Sequence, residues 1–234
     1  MPLALGVTGV ALIALWFAAW SYGGPVPTRG HEVEFDDALG FAAGLVAGIA
    51  ALALAAVPAL RRHWAAWIAL GMLGAATIGG VIALIDYDSS ADFDVGAQLT
   101  PFGGAILIGL AALDLLTRPT RDAPRFTPFD VAAALGCALM LVGLGRYHDT
   151  LTWVAETPTT IVALGGIAVL GAAALIQRPN VGRAAAVVCT FVAGFALTSA
   201  GMVEVSGRPW LVLGCVIAAA GGIAAYARRT SATS

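Results

Sequence analysis

Apolar residues in this chain run on rather than alternate. Stretches of about twenty mostly apolar residues, the length a bilayer-spanning helix needs, are separated by short polar loops. The runs predict spans at about 4–22, 38–60, 64–85, 98–117, 128–146, 159–177, 184–203 and 209–227. The fold class expected is therefore all-α: a polytopic transmembrane helical bundle of about eight spans, with 1–234 forming a single transmembrane domain.

The charges at the ends of these runs sort into two sets. One set holds Arg61, Arg62, Arg118, Arg121, Arg125, Arg178, Arg183, Arg228 and Arg229 against Asp114, Asp122 and Asp130, a net of +6. The other holds Arg29, Arg146 and Arg208 against eleven acids, a net of -8. An eight-span arrangement puts every arginine-rich loop on one side, whereas seven spans would scatter them. The positive-inside rule makes that side cytoplasmic, so both termini are expected in the cytoplasm of a cell (inner or plasma) membrane protein.

Composition agrees. Of 234 residues, 59 % are hydrophobic and only 11 % charged, too few charges for a soluble domain of this size. Lysine is absent and Gly contributes 29 residues. The opening MPLALGVTGVALIALW lacks the basic segment of a secretory signal, which suits a retained first helix. Trp64, Trp67, Trp153 and Trp210 fall near helix ends and are expected to anchor at the membrane interfaces.

The fourth and sixth runs end alike, in Leu115-Leu116-Thr117-Arg118-Pro119 and Leu175-Ile176-Gln177-Arg178-Pro179. A repeated helical hairpin would explain this, and so would arginine marking an interface before a helix-ending proline. Glycine pairs at Gly79-Gly80, Gly103-Gly104, Gly165-Gly166 and Gly221-Gly222, with the series Gly40, Gly44 and Gly48, predict close helix packing.

Candidate chemistry is sparse. Asp114 is the ionisable residue placed deepest in a run, and Arg118 stands one turn on, at the spacing of an ion pair. Asp130, after Pro128, fits first-turn helix electrostatics. Arg146-Tyr147-His148-Asp149 is the densest polar cluster at a helix end, making Arg146, His148 and Asp149 the remaining weak candidates for acid–base work. No run has a central histidine to hold haem, and no HExxH is present. Cys137, Cys189 and Cys215 lack CxxC spacing and read as small apolar core residues. The acidic run from Asp86 to Asp94 lacks the glycine and final glutamate of an EF-hand loop and reads as a solvated acidic face.

No catalytic residue, cofactor or metal is expected. The function expected is a non-enzymatic structural or accessory membrane subunit. The alternative is a small-solute or ion transporter using Thr77, Thr190, Thr198 and Ser199, with Asp114 near its mouth, and a lipid-modifying enzyme comes third. The expected partners are the lipid bilayer and either another membrane protein or a second copy of this chain; nucleic acid is excluded, because the few arginines are spread over short loops.

Overall fold

A computed structural model describes residues 1–21, 28–29, 38–87, 95–119, 127–144, 179–198 and 207–230. Helices make up nearly all of this: α1 (Pro2–Phe17), α2 (Ala38–Ala56), α3 (Pro58–Arg62), α4 (Trp64–Tyr87), α5 (Val95–Thr117), α6 (Pro128–Leu144), α7 (Pro179–Thr198) and α8 (Arg208–Arg229). A small antiparallel ribbon pairs β1 (Ala19–Ser21) with β2 (Thr28–Arg29).

The expectation of about eight spans is corrected here. Among the described residues, four helices are long and apolar enough to cross a membrane, through Trp64–Val81, Val95–Thr117, Val181–Thr198 and Arg208–Arg229. Three more are apolar but shorter: Pro2–Phe17, Ala42–Ala56 and Pro128–Gly143. The reason is that apolar sequence continues where helical backbone does not. The first run reaches Trp20, but its helix stops at Phe17 and the chain turns into β1. The second run extends to Leu60, but Pro58 forces Val57 into an extended conformation (φ -110, ψ 98) and splits the run into α2 and α3. A 16-residue helix such as α1 spans about 24 Å at 1.5 Å per residue, short of a hydrocarbon core of about 30 Å. The expected span 159–177 lies outside the described residues, as do residues 175–178 of the second hairpin end. The four long apolar helices nevertheless give the chain multi-pass membrane character.

Glycines fix how the helices cross. A Cβ on Gly9 of α1 would lie 2.8 Å from the Gly48 carbonyl of α2, and one on Gly48 would lie 3.0 Å from the Gly9 carbonyl. The α4–α5 crossing has the same reciprocal form, with Gly74 2.8 Å from the Gly104 carbonyl and Gly104 2.6 Å from that of Gly74. Backbone meets backbone at both crossings, so only glycine fits. The consecutive glycines face different neighbours, because successive residues on a helix point about 100° apart. Gly103 is covered by Leu12 of α1 while Gly104 meets α4; Gly221 meets Ala133 of α6 while Gly222 meets Thr190 and the Ala186 carbonyl of α7.

These pairings also give the directions. Gly143 meets Leu211, Gly136 meets Ala218 and Gly221 meets Ala133, so α6 and α8 are antiparallel. Gly71 meets Phe191 and Gly79 meets Phe195 and Thr198, so α4 and α7 are parallel. The most enclosed of the four long helices is α7, which serves two cores. Its Val187, Phe191 and Phe195 join α1, α2, α4 and α5, and its Ala185, Cys189 and Val192 join α6 and α8.

Candidate functional site

The helix directions bring the ends of α2, α5 and α8, the starts of α4, α6 and α7, and all of α3 to one end of the bundle. Arg61, Arg62, Arg118, Arg183, Arg228 and Arg229 are all there, while Arg208 begins α8 at the opposite end.

At this end, the last carbonyls of α3 and α5 lack intrahelical donors, as at every helix C-terminus. Arginines supply them. Arg118 donates through NH1 to the Arg62 carbonyl (2.8 Å) and through NH2 to the Arg61 carbonyl (2.9 Å), closing the end of α3. Trp67 Nε1 gives the Arg61 carbonyl a second donor at 2.9 Å. Arg183 of α7 donates to the Arg118 and Leu116 carbonyls, and Tyr226 of α8 donates to the Leu115 carbonyl at 2.8 Å. Arg61 reaches back to the Ala55 carbonyl of α2 (3.3 Å). Cations at helix C-termini also oppose the negative end of the macrodipole.

Two carboxylates complete the network. Asp114 Oδ2 accepts from Arg118 Nε at 2.6 Å, a pair with side chains 20 % and 12 % exposed. Asp130 accepts from both terminal nitrogens of Arg229, at 2.8 and 2.7 Å, joining the start of α6 to the end of α8. This second pair is buried. Asp130 also receives the Thr127 N–H (2.7 Å) and hydroxyl (2.8 Å), the first of these being the carboxylate half of a capping box, with Pro128 opening the helix. Burial works against the charge on Asp130; the bonds from Arg229 and Thr127 outweigh it and hold the carboxyl below its ordinary value of 3.8. Asp130 stands in the first turn of α6, outside the four membrane-length helices.

Of the sequence-predicted site residues, Asp114 and Arg118 are brought together; Arg146, His148 and Asp149 lie outside the described residues. Trp67 is corrected from an interface anchor to a core residue, 1 % exposed, since its ring packs beneath α3 while its N–H is used on Arg61. Trp64 lies tilted against the Tyr226 ring, centroids 5.5 Å apart. Sequence reasoning missed Arg183, Arg229 and Tyr226 as network members. Their acceptors are backbone carbonyls or a carboxylate 99 residues away, which no local spacing reveals.

The threonines proposed as a solute path are otherwise engaged. The hydroxyls of Thr77, Thr190 and Thr198 donate to the Leu73, Ala186 and Phe195 carbonyls of their own helices at 2.7–2.8 Å. Each side chain also faces a seam glycine: Gly104, Gly222 and Gly79 respectively. Ser199 lies outside the described residues. Cys137 Sγ donates to Cys189 Sγ across α6 and α7 at 3.7 Å; both are fully buried thiols that form no disulfide. Among the described residues, no group of three or more His, Cys, Asp or Glu could hold a metal ion.

Comparison with family models, with curated proteins and with solved structures finds no match to this chain.

Proposed function

We propose that this chain is a non-enzymatic membrane subunit, a closed helical scaffold that supports another membrane protein or a second copy of itself. One observation carries the reading: the hydroxyls of Thr77, Thr190 and Thr198 are spent on the backbone of their own helices, within glycine seams where helix backbones touch. A transporter would need several of those hydroxyls turned toward a water-filled path. The alternative reading, a small-solute or ion transporter, therefore has less support from Thr77, Thr190 and Thr198. The carboxylates that could couple ion movement, Asp114 and Asp130, are held by Arg118 and Arg229.

The orientation follows from charge. With six arginines gathered at one end, the positive-inside rule favours placing that end in the cytoplasm. Gly6 of α1 meets Ala55 and Leu12 meets Gly48, so α1 is antiparallel to α2 and begins at that end, where α8 finishes; both termini would be cytoplasmic.

The test is a native mass spectrum of the protein extracted in mild detergent from its own membrane. The expected result is a defined additional polypeptide mass, or a dimer. A monomer that retains a stoichiometric small solute would overturn the subunit reading in favour of transport.

A further inference from the structure

The arginines at the gathered end fall into two groups. Arg61, Arg118, Arg183 and Arg229 are consumed by carbonyls and carboxylates. Arg62 and Arg228 are not. Arg62 is exposed; its carbonyl accepts from Arg118, but among the described residues its guanidinium has no hydrogen-bond or ion-pair partner. Arg228 is exposed, with its guanidinium over the Phe129 ring at 5.5 Å and, among the described residues, no ion-pair partner. They stand apart on the rim. Arg62 closes α3 beside the end of α5, whereas Arg228 faces α6, on the side of α8 turned away from Tyr226 and Trp64.

Exposed apolar side chains stand on the elements that flank each outward arginine. Val57 (43 % exposed) and Leu116 (39 %) lie on the elements around Arg62, and Val131 (44 %) lies on the helix that carries Phe129. An outward cation at the end of a bundle of membrane-length helices, flanked by elements with exposed apolar side chains, matches an amphiphilic anion: phosphate against the guanidinium, acyl chain along the bundle. A free aqueous anion would use only the first half of that surface. Among the described residues, the carboxylates at this end, Asp114 and Asp130, already hold Arg118 and Arg229.

We propose that Arg62 and Arg228 each hold the headgroup of an anionic phospholipid, at two separate points on the rim of the arginine end. The surface acts whether the bundle serves as a subunit or a carrier, so it stands independently of the function proposed above. The engaged arginines hold the helices together and the outward pair hold the assembly to a negatively charged leaflet.

The full chain in phosphatidylcholine nanodiscs containing a minority of phosphatidylglycerol, released into a native mass spectrometer, tests this. The wild type is expected to retain phosphatidylglycerol in preference to phosphatidylcholine. Arg62→Gln and Arg228→Gln should each weaken phosphatidylglycerol at its own site about fivefold, the worth of one basic residue near an anionic surface, so each single variant loses up to about half of the excess phosphatidylglycerol and the double variant loses the preference. Thermal unfolding midpoints should be unchanged, since neither side chain holds the fold. Equal retention of the two lipids by the wild type, or full preference in the double variant, overturns the proposal. Displacement of phosphatidylglycerol by millimolar inorganic phosphate would also overturn it, by assigning the arginines to a soluble anion.

Discussion

At the scale of single residues, the buried Asp130–Arg229 pair and the partly exposed Asp114–Arg118 pair should behave differently although their geometry is similar. Removing one partner of a buried pair strands the other charge, at a cost of about 3–5 kcal/mol. Arg229→Ala should lower the thermal midpoint sharply in detergent, leaving Asp130 buried and held only by Thr127. Asp114→Asn should cost about 1 kcal/mol or less, because that pair is partly screened by solvent. A double-mutant cycle on each pair measures the difference, and equal coupling would refute the assignment of burial as the cause. The sign of the pH effect follows from Asp130. Its folded value is depressed, so its contribution is complete above the unfolded value and is lost as pH falls through the folded one. Acid titration of stability should therefore show a loss at low pH that is absent from Asp130→Asn. The sequence made the Asp114–Arg118 pair legible because its spacing is local. It showed Asp130 only as a first-turn acid, since its partner Arg229 arrives through the packing of α6 on α8.

At the scale of helices, glycine position separates seam from surface. A Cβ at Gly136 would strike the Ala218 backbone of α8, while one at Gly109 would meet nothing within 4 Å. Gly136→Val should therefore push α6 from α8 and destabilise by about 1–3 kcal/mol or more. Gly109→Ala should leave stability unchanged or raise it by up to about 1 kcal/mol, the helix preference of alanine over glycine. Comparing unfolding midpoints of the two variants checks the seam directly; a neutral Gly136→Val would mean that α6 and α8 do not meet there. The glycine pairs pointed to close packing in advance, but their division of labour, one glycine per neighbour, depends on which helices flank them. The number of membrane-length helices was less legible. Hydropathy registers Trp20 and Val57 as continuing apolar runs; only backbone conformation shows that the helices have already ended.

At the scale of the whole molecule, the crossings and the arginine network make one statement about direction, and it can be checked from outside. The antiparallel pairing of α6 with α8 puts Arg208 at the opposite end from Arg62, along a helix of 22 residues that rises about 33 Å. That length exceeds a hydrocarbon core of about 30 Å. Single cysteines introduced as Arg62→Cys and Arg208→Cys should therefore react with a membrane-impermeant maleimide from opposite sides of a sealed vesicle. The native thiols should stay silent throughout, because Cys137 and Cys189 are fully enclosed and Cys215 is 3 % exposed. Labelling of both introduced cysteines from the same side would break the inferred helix directions, and with them the gathering of arginines at one end. If Arg62→Cys reacts only from the cytoplasmic side, the charge asymmetry that runs through the sequence and the capping network that uses it have a common cause. Arginines kept on that side for insertion are then the groups on hand to close the helix ends that finish beside them.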